Sequence, residues 1–327
     1  MSKLIVVAGI TGVQGGSVAR TYLNAPGWKV RGVTRNKSSD SAKSWEFKGV
    51  EMVEANLDDV TSLKSAFQGA DIIFGVTDFW TIFKDPESIT KKKPGQDITE
   101  YCFEVELQQG KNLADSAASI PALDRYIFSS MANATHWSKG KYRELYHMDS
   151  KALAVDYAKS LPGLKEKFSQ IQAPIYFNLL WEWSLPTTPV KNLDGTYRIK
   201  GIGSGDLPIS FGHVAKDFGP CVQAVANAKP NTNLFAVGDE ISWNQYLDTW
   251  CESQSVLKGG YDEHSLDWWM ETLPGLGREF GENVLFSMEF GYDGKDPSVI
   301  RPPQLGLKMT TFKEYCAETD FSRILQR

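Results

Sequence analysis

The chain has 327 residues, of which 42% are hydrophobic and 23% are charged, as expected of a globular protein with one large or two smaller domains. The formal net charge of −5 argues against nucleic acid as a partner, because phosphate binding needs a basic surface. No run of about 18 apolar residues suggests a membrane span. Four scattered cysteines fit a reducing compartment, and the chain opens on a strand pattern rather than a signal peptide, so we expect a cytoplasmic protein.

The first half of the chain alternates short apolar runs with helical patterns. Helices are predicted over 15–24, 60–67, 97–119 and 143–159, and strands at KLIVVAG, KVRGVT, VEMVEA, DIIFGVT, RYIFSS and PIYFNLL. DIIFGVT is almost wholly apolar, as is typical of a parallel strand that is covered on both faces. This alternation predicts an α/β fold of the Rossmann type, with a doubly wound parallel sheet.

The rhythm changes after residue 180. The segment that follows is rich in loops, Pro and Gly, and a helical pattern and one further strand, TNLFAVG, come later. We therefore predict a Rossmann domain over 1–180 and a smaller, loop-rich substrate or partner domain over 181–327. The strand near 233–238 is expected to return to the main sheet. The smaller domain is expected to lie over the carboxyl edge of the sheet, where ligands of such folds bind.

A glycine pattern, Gly9-x-x-Gly12-x-x-Gly15, follows the first predicted strand and opens the first predicted helix. This context is required of a dinucleotide-binding loop, since Gly9 permits the turn, Gly12 admits the pyrophosphate and Gly15 allows close packing. The helix N-terminus offers N–H groups to phosphate. The alternative is an ordinary structural turn. The predicted cofactor loop comprises Gly9, Thr11, Gly12, Val13, Gln14 and Gly15.

The end of the second strand, GVTRNKSS, indicates which dinucleotide is bound. NAD sites place a carboxylate here for the ribose hydroxyl, whereas this segment offers the cations Arg35 and Lys37. Cations suit a 2′-phosphate, which favours NADP(H) over NAD; the alternative is a solvated loop. Later strand ends add candidates. We expect Asn56 and Leu57 to flank the adenine, and Thr77, Asp78 and Phe79 to lie beside the ribose and nicotinamide, although Phe79 could equally be a core residue.

Taken together, these motifs resemble the NmrA-like family, an atypical branch of the short-chain dehydrogenase/reductase superfamily. The resemblance spans essentially the whole chain and rests on GITGVQGGSVART, VTRN, NLDD, GVTDFW, YIFSSM, YHMDSKALAVDY and LGLKMTTFKEYC. It implies a Rossmann domain, a small C-terminal domain and NADP in the cleft between them. It also makes a role in fungal secondary metabolism plausible.

Standard members of the superfamily carry a Ser and a Tyr-x-x-x-Lys motif. The resemblance assigns the serine to Ser130 and the lysine, which holds the cofactor, to Lys151, but His147 stands where the family has tyrosine. Positions i and i+4 share a helix face, so both side chains can reach one cleft. Histidine can donate or accept a proton near neutral pH. Tyr146 could replace it only if the helix begins or bends there. No histidine pair has metal-ligand spacing, and we predict no metal.

An aromatic segment, YFNLLWEWSL, predicts a flat apolar pocket, although tryptophans often serve the core instead. Two functions remain open. The first is an NADP(H)-dependent oxidoreductase that acts on a small aromatic or polycyclic metabolite, by carbonyl or imine reduction or by redox-neutral cyclisation or isomerisation with bound cofactor. The second is a non-catalytic NADP(H) redox sensor that regulates a protein partner; either could be a monomer or a homodimer. The predicted pocket residues are Trp80, Tyr146, Tyr176, Phe177, Trp181 and Glu182.

Overall fold

The computed structural model describes residues 2–326, apart from the side chain of Leu180. Within this range the strands are β1 (Lys3–Ala8), β2 (Trp28–Thr34), β3 (Glu51–Glu54), β4 (Ile72–Gly75), β5 (Arg125–Ser130), β6 (Phe168–Gln172), β7 (Ile175–Tyr176), β8 (Val190–Lys191), β9 (Tyr197–Ile202), β10 (Ile209–Gly212), β11 (Asn233–Phe235), β12 (Asp239–Ile241), β13 (Lys258–His264) and β14 (Val299–Ile300). The helices are α1 (Val13–Leu23), α2 (Asp40–Phe47), α3 (Val60–Ala66), α4 (Phe79–Lys84), α5 (Pro86–Lys91), α6 (Ile98–Ala118), α7 (Ala134–Trp137), α8 (Tyr146–Ser160), α9 (Leu179–Glu182), α10 (Val214–Asn227), α11 (Trp243–Gln254), α12 (Leu266–Thr272), α13 (Gly277–Phe290), α14 (Phe312–Glu318) and α15 (Ser322–Leu325), with a 3-10 turn over Pro302–Leu305.

The main sheet has eight parallel strands in the order β14-β11-β6-β5-β4-β1-β2-β3. The order reverses between β1 and β4, which pair directly. A crevice opens at such a switch point, beyond the carboxyl ends of the strands, and ligands of doubly wound folds bind there. The Rossmann-type α/β fold predicted from the sequence is confirmed.

Alternation along β1 explains why helices cover both faces of this sheet. Ile5 and Val7 point to one face and pack in the same cluster as Val18 of α1. Val6 and Ala8 point to the other face, into a cluster that includes residues of α6 and α8. Every residue of the strand from Ile5 onward is apolar and buried. This is typical of a parallel strand that is covered on both faces.

The sixth strand of the sheet differs from the prediction. PIYFNLL was expected to form it, but β6 is the earlier segment FSQIQ, and Ile175–Tyr176 instead join β10 and β12 in a small separate sheet. FSQIQ lacks an apolar pattern, yet all five of its residues are buried; the Gln172 amide donates to Asn233 Oδ1 at 3.1 Å.

The chain beyond residue 180 contributes to the main sheet as well as to a second layer. β11 pairs with β6, and β14 pairs with β11. The remaining strands form two three-stranded sheets, β12-β10-β7 and β13-β9-β8, which pack with α11 to α14 around a core rich in aromatic residues. Over residues 2–326, none of the helices combines the length and the apolar character needed to cross a bilayer.

Candidate functional site

The glycine loop joins β1 to α1 at the switch point. Gly9 has φ +68°, a left-handed conformation that favours glycine. A Cβ added to Gly15 would lie 2.3 Å from the Gly9 carbonyl oxygen, so the turn and the helix approach too closely for any side chain there. Helix α1 starts after Gly12 with no side-chain cap among the described residues and no acid in its first turn. Its first backbone N–H groups therefore have no partner within the helix and can bind an anion.

A cavity of about 760 Å³ extends from this loop to the second half of the chain. It passes the ends of β2 and β3, then the ends of β4 and β5, and reaches α8, α9 and α13. The sequence-predicted residues that line it are Gly9, Thr11, Gly12, Val13, Gln14, Gly15, Arg35, Asn56, Leu57, Thr77, Asp78, Phe79, Trp80, Ser130, His147, Lys151, Tyr176 and Glu182. Most of the candidates predicted from the sequence therefore lie around one cavity.

The end of β2 brings polar and cationic groups to the cavity. Arg35 is exposed and lines it, together with Thr34, Asn36, Ser39 and Ser41. Lys37 does not line it; its backbone N–H donates to Glu54 Oε2 at 3.3 Å. Of the two cations predicted for this segment, the structure brings only Arg35 to the cavity.

Asp78, shortly after β4, caps the N-terminus of α4. Its Oδ1 accepts the N–H groups of Trp80 and Thr81 at 3.1 and 3.2 Å, and its Oδ2 accepts the Thr81 hydroxyl at 2.6 Å. This cap starts α4 and thereby sets the position of Trp80 at the cavity wall. Thr77 beside it is buried, and its hydroxyl lacks a partner among the described residues.

His147 is held by a carboxylate from the other half of the chain. Its Nδ1 lies 2.5 Å from Glu279 Oε2, and both side chains are almost fully buried. Glu279 Oε1 also accepts the backbone N–H of Tyr146 at 2.9 Å, at the first turn of α8. The other ring nitrogen, Nε2, lies 3.5 Å from the Asn283 amide nitrogen. The imidazole is therefore fixed at both edges by residues of α13.

Lys151 is engaged by a second buried carboxylate, that of Glu106 on α6. The ammonium group and the Ser150 hydroxyl both donate to Glu106, whose side chain is fully shielded from solvent. The ammonium also donates to the backbone carbonyl of His147 at 3.3 Å. Lys151 and His147 thus lie on one face of α8, as the i, i+4 spacing predicts. The Lys151 ammonium, however, is already paired with the Glu106 carboxylate.

Ser130 and Tyr146 occupy different surroundings. Ser130 ends β5, lines the cavity and is buried, and its hydroxyl is unpaired within the described part of the chain. Tyr146 does not line the cavity and packs against Phe103, with ring centroids 5.6 Å apart. Burial, with Glu144 and other acids nearby, raises the pKa of the Tyr146 hydroxyl. Although α8 begins at Tyr146, its side chain is not in the site.

The loop between β5 and α8 is fixed by Asp149. Its Oδ1 accepts the backbone N–H groups of Ala134 and Thr135 at 2.7 and 3.2 Å, and its Oδ2 accepts the Thr135 hydroxyl at 2.5 Å. Burial raises the pKa of Asp149, and these hydrogen bonds act in the opposite direction. The loop that carries Ser130 toward His147 is therefore tied to the same helix as His147.

One wall of the cavity is aromatic. Trp80 stacks on Phe280 with centroids 5.0 Å apart and lies 5.2 Å from the His147 ring. Trp183 meets both Trp80 and Phe280 edge-on, and the Lys84 ammonium lies over the Trp183 ring at 3.6 Å. This aromatic wall (Trp80, Trp183 and Phe280) joins α4, the end of α9 and α13 directly beside His147.

Two predicted pocket residues belong to the core instead. Phe177 is fully buried and stacks on Phe211, and Trp181 stacks on Tyr315. Neither lines the cavity, which corrects their assignment to the pocket. Tyr176, next to Phe177 along the chain, does line it; its hydroxyl accepts the Gln14 amide at 2.6 Å, and burial raises its pKa to about 12. Phe177 follows β7 in a turn, and its side chain packs into the aromatic-rich core instead.

Sequence reasoning missed the carboxylates behind both catalytic candidates. Glu106 could have been found, because it lies on the buried stripe of the predicted long helix with Cys102, Gly110 and Leu113. An acid at such a position indicates a buried pair. Glu279, Phe280 and Asn283 had a weaker signal, since no motif read from the sequence includes them.

Comparison with known proteins points to one family. Residues 1–251 match the model of the NmrA-like family. The NmrA-like family domain-containing oxidoreductase lnaB of Aspergillus flavus is 30% identical over 68% of this chain, and the match spans 64% of that protein. The related oxidoreductase FrzB of Cladobotryum is 29% identical over 69% of this chain and 65% of its own length. The chain therefore matches slightly less than two thirds of the length of these relatives.

Solved structures share the fold over nearly the whole chain. NmrA, a negative transcriptional regulator crystallised with NADP, superposes with a TM-score of 0.71 at 20% identity, over 97% of this chain and 95% of its own. An NADPH-dependent quinone oxidoreductase from Escherichia coli, crystallised with NADPH, gives 0.67 at 16% identity over 96% and 98%. Residues 1–251 match the family model, and the fold and the glycine loop are consistent with that match, so the chain belongs to the NmrA-like family.

Proposed function

We propose that this protein is an NADP(H)-dependent oxidoreductase that acts on a small aromatic or polycyclic molecule. The observation that carries the proposal is the single cavity, which runs from the glycine loop to the His147–Glu279 pair and the aromatic wall. A cofactor bound at one end and a planar substrate against the wall would meet beside His147. The relatives named oxidoreductases support the same class of activity.

The residues along the cavity fit NADP(H). Gly12 carries no side chain that could cover the N-terminus of α1, so a pyrophosphate can approach the uncapped backbone N–H groups there. Arg35 supplies a cation for a 2′-phosphate at the end of β2. The buried, unpaired Thr77 hydroxyl and Gln14 Oε1 offer polar contacts to the ribose and nicotinamide portions.

The chemistry assigned to the protein is proton transfer coupled to hydride transfer. The cofactor, when bound, would supply a hydride to a carbonyl or imine carbon in reduction, or take one from the corresponding alcohol or amine carbon in oxidation. His147 gives a proton to the substrate oxygen or nitrogen in reduction, or removes it in oxidation. The Ser130 hydroxyl can donate to the same heteroatom. The Lys151 ammonium, which pairs with Glu106 of α6, holds α8 in place beside that helix.

Binding and turnover can be separated experimentally. NADPH is titrated by fluorescence, and its consumption is followed with a panel of aromatic ketones, quinones and imines. Binding with consumption, lost by about 10²-fold or more in His147→Asn while NADPH affinity is kept, supports the proposal. Binding without consumption of NADPH by any probe would overturn hydride transfer and favour the redox sensor or a redox-neutral reaction.

A further inference from the structure

We propose that Glu279 is a positioning residue, which determines that the proton exchanged by His147 is the one on Nε2. The inference deepens the proposed function and rests on the role of His147 in it. Glu279 itself is 1% exposed and reaches the site only through the imidazole.

The hydrogen-bond chemistry of the pair leaves one arrangement. An ionised carboxylate accepts hydrogen bonds and cannot donate one. With Glu279 Oε2 2.5 Å from Nδ1, the hydrogen must be on Nδ1 in both the neutral and the charged imidazole. The only ring nitrogen left to gain or lose a proton is Nε2. That atom is on the Asn283 side of the ring, and both His147 and Asn283 line the cavity.

The second oxygen of Glu279 fixes the carboxylate itself. It accepts the Tyr146 N–H at 2.9 Å, where α8 begins after Leu145, a residue whose side chain does not cap the helix. A carboxylate at a helix N-terminus also interacts favourably with the helix dipole. Glu279 therefore holds the start of α8 and the imidazole one residue further on, so rotation of the ring would break the contact with Oε2.

The other charged groups near the ring are engaged elsewhere. Glu106 binds Ser150 and Lys151, and Asp149 accepts three hydrogen bonds from Ala134 and Thr135. Glu282, on the same helix as Glu279, pairs with Arg278 at 3.1 Å. Of the carboxylates in the described part of the chain, Glu279 is the one in contact with the imidazole.

The test is the tautomer of His147, observed by NMR of the full-length protein labelled with ¹⁵N-histidine and saturated with NADP⁺. The chain has four histidines, and His147→Gln assigns the relevant signals. The wild type is expected to carry hydrogen on Nδ1, with Nε2 unprotonated at high pH. Glu279→Gln introduces an amide that can donate to Nδ1, and should convert the neutral ring to the Nε2–H form. Glu289→Gln, on the same helix and bonded to Tyr142, is the matched control and should leave the tautomer unchanged.

Two results would overturn the proposal: an Nε2–H tautomer in the wild type, which needs no variant to fold, or the same tautomer in the wild type and a folded Glu279→Gln. For any quinone or ketone that supports NADPH consumption, Glu279→Gln should lower kcat by at least about 10²-fold and leave the KM for NADPH unchanged. If no probe is turned over, the proposed function fails, but the NMR result still decides the role of Glu279.

Discussion

The His147 imidazole and the Glu279 carboxylate are 132 residues apart in the chain and 2.5 Å apart in the structure. His147 is on the helix that follows the fifth strand of the main sheet, and Glu279 is on a helix of the layer above. The candidate proton-transfer group is therefore complete only when the second half of the chain has packed over the sheet. Exposed pairs between Lys141 and Glu289 and between Arg278 and Glu144 join the same two regions.

Arg35 should determine the preference between the two dinucleotides. Arg35→Glu removes a charge-assisted contact worth about 1.5–3 kcal/mol and adds repulsion, so NADPH affinity should fall at least roughly tenfold while NADH affinity changes little. Fluorescence titration of both cofactors checks this. Lys37→Glu is the matched control, because it makes the same charge change at an exposed neighbour that does not line the cavity. Equal losses for NADPH and NADH would contradict the 2′-phosphate assignment.

Substitutions at Gly15 and at Gly12 of the loop should have different effects on stability and on cofactor binding. Gly15→Ala forces a Cβ to within 2.3 Å of a backbone carbonyl oxygen, so it should cost about 1–3 kcal/mol of unfolding free energy as well as cofactor binding. Gly12→Ala meets its nearest neighbour at 3.4 Å and should fold normally, yet bind NADPH weakly. Urea unfolding and NADPH titration of both variants separate the effects. Full NADPH affinity in Gly12→Ala would argue against phosphate binding at this loop.

Breaking the Lys151–Glu106 pair should lower the unfolding free energy strongly, whereas replacing both partners should lower it little. Lys151→Met leaves the fully buried Glu106 carboxylate unpaired, which should destabilise the protein by about 3–5 kcal/mol. The double variant Lys151→Met with Glu106→Leu removes both charges and should recover most of that loss. Chemical unfolding of the single and double variants measures the difference. A single variant as stable as the wild type would mean that the buried pair is not formed in solution.

Glu282 should make stability depend on pH in a predictable direction. Burial raises its pKa above the ordinary value of 4.5, with Arg278 acting in the opposite direction. The folded protein then holds the proton more tightly than the unfolded chain, so this residue lowers stability as pH rises from below 4.5 through the raised pKa. Glu282→Gln should therefore increase the unfolding free energy at neutral pH and change it little in acid. Unfolding curves at both pH values test this; a variant destabilised at neutral pH would show that the Arg278 pair outweighs burial.

Local patterns in the sequence were sufficient for the frame of the protein. The Gly9, Gly12 and Gly15 spacing, the alternation of strands and helices, and the i, i+4 relation of His147 and Lys151 depend on neighbouring residues alone. They predicted the Rossmann-type fold, and most of the predicted site residues line the cavity. Where the pattern was ambiguous it misled: PIYFNLL is more apolar than FSQIQ, yet FSQIQ forms the inner strand, which is buried along its whole length between β5 and β11.

The partners of the site were decided by the tertiary structure. Glu106 and Glu279 reach Lys151 and His147 across 45 and 132 residues, and no local period relates them. Phe177 and Trp181 were indistinguishable by type from Tyr176, yet packing turned them into the core. By itself the sequence determined which backbone turns and helix faces were possible, since those follow from conformational preference and short-range spacing. Which acid neutralises which base, and which aromatic ring reaches the cavity, depended on how the two halves of the chain pack, because burial and contact exist only in the folded protein.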